Sequence, residues 1–115
     1  MRGGRAIVSA LILIAGASGT AWASELPRFD VESHCKAVAS FGGTYSASLD
    51  ESCFSMEQAA YDGLKPIWPD LPASVARHCA EVAAFGGPGS YSLLESCIRM
   101  EVDAAGANSN RKFKF

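Results

Sequence analysis

Apolar residues recur at helical spacing from residue 31 onward. The first stripe consists of Val31, Cys35, Val38, Ala39 and Phe41. These positions lie on one face of an α-helix. Asp30 is the predicted N-cap, and Gly42-Gly43 ends the helix, because the residue after a helix end often needs a positive φ.

A second helix follows after about six residues. Ser48 and Glu51 form a capping box, in which each side chain accepts a hydrogen bond from the other residue's backbone amide. Gly63 is the expected stop. The apolar stripe of this helix consists of Leu49, Cys53, Met56 and Ala60. Two helices joined in this way predict an antiparallel αα-hairpin.

The same pattern occurs again 44 residues later, and 17 of the 30 positions from Val31 to Ala60 match their counterparts. Ser74 caps the third helix and Ser92-Leu93-Leu94-Glu95 repeats the capping box, with Gly106 as the last stop. The stripes are Val75, Cys79, Val82, Ala83 and Phe85, then Leu93, Cys97, Met100 and Ala104. We therefore predict an all-α fold of two tandem hairpins, four short helices that dock with approximate two-fold symmetry.

The predicted hairpin repeats span residues 24–62 and 74–107. Residues 63–73 form a linker with prolines at 66, 69 and 72, a spacing that matches polyproline II. We interpret it as a stiff connector whose Ile67, Trp68 and Leu71 cover the seam between the hairpins.

Residues 1–23 have the layout of a secretory signal peptide. Arg2 and Arg5 precede an apolar run that is too short to span a bilayer, and Ala21-Trp22-Ala23 provides a cleavage site. An uncleaved membrane anchor is the alternative. We expect cleavage after Ala23, a periplasmic or secreted protein, and no stable membrane span afterwards.

Removal of the signal leaves eight basic and twelve acidic residues, a net charge of −4. This charge argues against nucleic-acid binding. The exception is the basic tail, residues 108–115, in which Arg111, Lys112 and Lys114 alternate with aromatic residues. We interpret it as a solvated end, with a weak tether to anionic surfaces as the alternative.

All four cysteines follow the signal, and an even number in a short exported chain indicates disulfides. Cys35 and Cys53 lie at nearly the same height above the first turn, as Cys79 and Cys97 do above the second. The predicted bonds are therefore Cys35–Cys53 and Cys79–Cys97, although two other connectivities stay open.

The repeated His-Cys-x-x-Val-Ala-x-x-Gly-Gly and Glu-Ser-Cys-x-x-Met-Glu segments, with Ser-Tyr-Ser between them, resemble a family of small exported α-proteobacterial proteins with no known activity. The first repeat departs from the family's Gly-Gly-Ser-Tyr turn, since it has Gly-Gly-Thr-Tyr at 42–45. The resemblance covers both repeats but not the linker or the tail. It implies export and paired cysteines, and it adds no function.

Two histidine–glutamate pairs are candidate binding groups. His34 and Glu57 lie at the same end of the first hairpin, as His78 and Glu101 do in the second. We predict a contact across each hairpin mouth, interpreted as a structural hydrogen bond, with a pH-responsive contact or half of a metal site as alternatives.

A copper or zinc site is the alternative function. Cys-x-x-Met occurs twice, and His34, Met56, His78 and Met100 are its candidate ligands, of the soft kind that suits Cu(I). Disulfides would remove the thiolates, so we predict no metal and no cofactor. The chain also lacks Cys-x-x-Cys, His-Glu-x-x-His and phosphate-loop motifs, and we predict that it is not an enzyme.

Tyr45 and Tyr91 fall in the predicted turns, where exposed aromatic side chains can anchor a partner. The alternative is that each tyrosine packs over its own turn. We therefore expect a non-catalytic protein-binding or accessory role with an unidentified protein partner. The oligomeric state stays open.

Overall fold

The computed structural model describes Gly3 and residues 25–115, so the signal-peptide prediction lies outside the described residues. Residues 25–115 form four α-helices and one short 3-10 helix, without a strand. The helices are α1 (Val31–Ala39), α2 (Ala47–Leu64), α3 (Ala73–Ala83) and α4 (Tyr91–Asn108), and the 3-10 helix is Trp68–Asp70. The all-α prediction is confirmed. None of the helices described combines the length and the apolar composition that a membrane-spanning segment needs.

Each hairpin is closed by one disulfide. Cys35 of α1 is bonded to Cys53 of α2, and Cys79 of α3 is bonded to Cys97 of α4, with 5.5 Å between the Cα atoms in both cases. The predicted within-repeat pairing is therefore confirmed. The two cysteines of each bond lie at similar distances along their helices from the turn, which places them at the same height, as the sequence indicated.

The caps agree with the sequence only in part. Asp30 caps α1 as predicted, because its carboxylate accepts a hydrogen bond from the Ser33 amide. The caps predicted at Ser48 and Ser92 are wrong, since both residues lie inside the first turn of their helices. Ser46 and Ser90 cap instead, because they are the last extended residues and their hydroxyls accept from the amides three residues later.

The other predicted helix ends are also shifted. α3 begins directly after Pro72, so Ser74 lies in its first turn and is not its cap. α2 and α4 continue past Gly63 and Gly106 to Leu64 and Asn108. Glycine lowers helix propensity by only about 1 kcal/mol, so a single glycine does not have to end a helix.

The linker is not extended polyproline. It contains the 3-10 helix Trp68–Asp70, with Pro69 in its first turn. Trp68 is buried and Leu71 is partly buried against the core, as predicted, but Ile67 is exposed. The seam between the hairpins is therefore covered by an indole and a leucine on a tight turn.

The hairpins dock through α2 and α4 in a head-to-tail manner. Glu57, in the middle of α2, contacts the first turn of α4, and Gly63, further along α2, faces Glu95, further along α4. Glu57 contacts Tyr91, which follows it by 34 residues. The contact therefore does not join equivalent positions of the two repeats, which are 44 residues apart. The expectation of two-fold symmetry is wrong, because Glu101 makes no equivalent contact with the start of α2 and pairs with His78 instead.

The core lies mainly in the second hairpin and in the last two turns of α2. Its buried members are Ala60, Leu64, Trp68, Ala76, Cys79, Ala83, Tyr91, Leu94 and Ile98. The first disulfide is buried outside this cluster. The first hairpin therefore contributes one end of α2 to the core, and the second contributes both of its helices.

Candidate functional site

Glu57 is the most deeply buried charged residue among residues 25–115, with 2% of its surface exposed. Its Oε1 accepts a hydrogen bond from the Ser90 hydroxyl at 2.8 Å and a longer one from the Ser92 amide at 3.4 Å. Its Oε2 accepts from the Tyr91 amide. First-turn amides have no acceptor within their own helix, and a negative charge there also interacts favourably with the helix dipole. Glu57 of the first repeat therefore caps α4 of the second.

The predicted histidine–glutamate contacts are present in both hairpins. His34 Nε2 lies 3.7 Å from Glu57 Oε1, and His78 Nε2 lies 3.8 Å from Glu101 Oε1. Their surroundings differ, since the side chain of Glu57 is 3% exposed and that of Glu101 is 45% exposed. His34 thus contacts a buried structural carboxylate, and His78 contacts a solvated one.

Tyr91 is the second residue that joins separate parts of the chain. It is the first residue of α4 and is 5% exposed, so the structure does not leave it in an exposed turn. Its hydroxyl accepts from the Phe29 amide at 2.8 Å and donates to the Pro27 carbonyl at 2.7 Å. These bonds hold the segment before α1, residues 25–30, against the turn of the second hairpin.

Gly89 makes this arrangement possible. Its φ is +94°, and a Cβ at this position would overlap the Phe29 ring. The equivalent residue of the first repeat is Tyr45, so the turn of the first hairpin could not accept an aromatic ring in the same place. The segment 25–30 is therefore specific to the second turn.

A pocket of about 290 Å³ opens beside Glu57 and Tyr91. We call it the junction pocket, because its lining comes from residues 25–31, from α2 and from α4. Four aromatic rings line it: Phe29, Phe54, Tyr61 and Tyr91. The Tyr91 ring centroid lies 4.8 Å from that of Phe29 and 4.9 Å from that of Tyr61. Glu57, Gln58, Val31 and Arg28 complete the lining.

Tyr45, the other predicted anchor, lies elsewhere. It is 55% exposed, and its hydroxyl donates a hydrogen bond to Asp50. This hydrogen bond to a carboxylate raises the pKa of Tyr45 above its usual value, because it favours the protonated phenol. Tyr45 is thus an exposed aromatic residue tied to its own helix, and it does not reach the junction pocket.

The predicted apolar stripes are wrong at four equivalent positions of each repeat and also at Ala104, which is exposed. Large exposed side chains occupy the equivalent positions, namely Val38, Phe41, Leu49 and Met56 in the first hairpin and Val82, Phe85, Leu93 and Met100 in the second. Besides Cys53, the buried residues of α2 are Glu57, Ala60 and Leu64, on the side that meets the second hairpin, whereas α1 packs mainly against α2. Ala39 and Ala83 are buried.

We call the two exposed groups the outer faces of the hairpins. Each contains a phenylalanine at the end of its first helix that is 92% exposed. On the second outer face, Val82 and Phe85 line a shallow pocket of about 450 Å³ together with His78 and Glu81. The four large apolar residues of one face are identical to those of the other, whereas Glu81 has Ala37 as its counterpart.

The cysteines of the two Cys-x-x-Met motifs are not available as thiolate ligands. Both disulfides are formed, so residues 25–115 contain no free cysteine. Met56 and Met100 are exposed on the outer faces. Within these residues, no group of three or more His, Cys, Asp or Glu side chains is arranged to hold a metal ion.

Sequence reasoning missed both the helix cap at Glu57 and the junction pocket. One signal was available, because Tyr91 and Leu94 of the second repeat stand where the first has Ala47 and Asp50. A position that is apolar in one copy and small or polar in the other marks a surface that only one copy buries.

Comparisons with protein-family models, with curated proteins and with solved structures gave no match to this chain. Its two disulfides are typical of proteins that fold in an oxidising environment. The chemistry of the described residues therefore carries the functional argument.

Proposed function

We propose that this chain is an exported, non-catalytic binding protein that acts in the periplasm or outside the cell. The observation that carries the proposal is the presence of two equivalent outer faces, each with four exposed apolar side chains. Contiguous exposed apolar surface is costly to leave in water and commonly marks an interaction site. The signal-like residues 1–23 and the resemblance to exported proteins support the location.

The charge of the body indicates the chemistry of the partner. Without Arg111, Lys112 and Lys114, the predicted mature chain carries five basic and twelve acidic residues, a net charge of −7. Glu81 lies in the pocket formed by Val82 and Phe85. A partner segment that is both apolar and basic, such as an amphipathic helix with lysines, complements these features in charge and in polarity.

The duplication gives the partner two places to bind. A partner with two such segments would be held by both faces, and the second contact would form at a high effective concentration. The outer faces thus act as a bivalent surface, and the disulfides hold their helices in place.

The experiment titrates the oxidised protein with an amphipathic Leu/Lys peptide and with a Leu/Glu peptide of the same pattern, by calorimetry. We expect two Leu/Lys peptides per chain, weaker binding at high salt, and no binding of the Leu/Glu peptide. Phe41→Ser and Phe85→Ser should each weaken one site by about tenfold, since a central aromatic residue dominates such contacts.

Phe113→Ser is the matched control, because Phe113 is an exposed phenylalanine outside both faces. Equal binding of the two peptides would exclude the charge argument. Unchanged binding in the Phe41→Ser, Phe85→Ser double variant, or an equal loss in the control, would exclude the outer faces.

A further inference from the structure

The junction pocket combines aromatic rings with a carboxylate in a small space. Its volume of about 290 Å³ lies at the lower end of the range for small-molecule sites. We propose that it binds a quaternary ammonium group, with the trimethylammonium head against the rings and Glu57 as the nearby negative charge. This inference uses neither outer face and is therefore independent of the function proposed above.

The rings provide the first reason. Phe29, Tyr61 and Tyr91 form a cluster in which neighbouring rings are tilted by 38° and 64°. The electron-rich faces of aromatic rings attract cations, and quaternary ammonium groups are recognised in this way. Tyr61 already interacts with a cation of its own chain, since Lys65 Nζ lies 4.6 Å from its ring centroid.

The existing hydrogen bonds select the type of cation. Both oxygens of Glu57 already accept hydrogen bonds from the start of α4. The Tyr91 hydroxyl is also engaged as a donor and as an acceptor. Three of the about four acceptor sites of Glu57 are thus occupied, so few remain for the three N–H groups of a primary ammonium, whereas a quaternary ammonium has no N–H to satisfy.

The charges argue for a cation over an anion. Glu57 is a buried wall of the pocket, and burial reduces the screening of its charge by solvent. Arg28 also lines the pocket but is exposed, so water and salt screen its charge more strongly. Glu57 is therefore the less screened of the two charged side chains that line the pocket, and the start of α4 offsets part of its charge.

The experiment follows backbone amide shifts by NMR as the oxidised protein is titrated with three ligands of nearly equal shape. They are choline, its carbon analogue in which a quaternary carbon replaces the nitrogen, and the anion tert-butylacetate. We expect choline to bind about fivefold more tightly than the carbon analogue, with shifts at Glu57 and Tyr91, and tert-butylacetate to bind most weakly.

Phe54→Leu tests the ring contribution, because Phe54 is partly exposed at the pocket and is not part of the buried core. We expect it to weaken choline binding by about fivefold and to leave the carbon analogue nearly unchanged. Phe41→Leu is the control outside the pocket and should change neither.

Three results would overturn the proposal. Equal affinity for choline and the carbon analogue would show a merely apolar site, and tighter binding of tert-butylacetate would assign the site to Arg28 and an anion. The absence of amide shifts at Glu57 and Tyr91 with choline would exclude binding in this pocket. None of these results bears on the peptide titration of the outer faces.

Discussion

Glu57 and Glu101 occupy the same position of the two repeats and have different surroundings. Glu57 lies under the start of α4 and receives hydrogen bonds from three residues, whereas Glu101 is half exposed and pairs only with His78. The identical residue therefore stabilises the junction in one copy and remains on the surface in the other. Local sequence determines the hairpin, and the neighbouring hairpin determines what its residues do.

The residues that differ between the copies follow the same division. Leu94 packs in the core where the first repeat has Asp50, and Leu64 packs there where the second has Asn108. The shared residues include the disulfides, the serine caps and the turn glycines, which build a hairpin. Of the residues that dock one hairpin on the other, Leu64, Tyr91 and Leu94 are unique to one copy, whereas Glu57 and Ser90 occur in both.

Removal of a disulfide should have the largest effect on stability. The part of the chain that loses protection from hydrogen exchange should differ between the two hairpins. Each bond closes a separation of 18 residues, so replacing either cysteine pair by alanine should lower the free energy of unfolding by about 3 kcal/mol. Because the first disulfide lies outside the main core, its loss should free α1 locally. Hydrogen exchange should then show lost protection in α1 and retained protection in α4.

The Cys79→Ala, Cys97→Ala variant is the matched case, since Cys79 belongs to the core cluster. Hydrogen exchange of the backbone amides in this variant should rise throughout both hairpins. Uniform loss of protection in the two variants would contradict the unequal division of the core.

Glu57→Gln and Glu101→Gln make the comparison with a single chemical change. Glu57→Gln removes the carboxylate charge that strengthens three hydrogen bonds. We therefore expect the free energy of unfolding, measured in urea, to fall by about 2 kcal/mol. At position 101 the same change should cost less than about 0.5 kcal/mol, because the contact between Glu101 and His78 is exposed to solvent. Similar losses at both positions would show that the cap at α4 contributes little.

The tyrosines give the smallest of these contrasts. Tyr91→Phe removes the hydroxyl that binds residues 27 and 29, and should cost about 1 kcal/mol and speed exchange of the Phe29 amide. Tyr45→Phe removes only an exposed hydrogen bond to Asp50 and should leave stability almost unchanged. If Phe29 exchanges at the same rate in both variants, the Tyr91 hydroxyl does not hold this segment.

The sequence was sufficient for the hairpins and insufficient for their docking. The 44-residue repeat and the heights of the cysteines predicted four helices and both disulfides, because these depend on contacts within one repeat. The stripes failed at Phe41 and Met56, since helical spacing defines a line of apolar residues and not which of them another element covers. In α2 the second hairpin determines this, and its position depends on contacts across the repeats.

The head-to-tail contact between α2 and α4 has a consequence for assembly. It joins two different surfaces, so repeated addition of such a contact produces a ring or an open filament. The free ends prevent this growth, because a third unit would have to bury Asp50 at one end or Asn108 at the other, where the internal contact has leucines. The contact between α2 and α4 is thus of a kind that can repeat, and Asp50 and Asn108 limit it to the single contact within this chain.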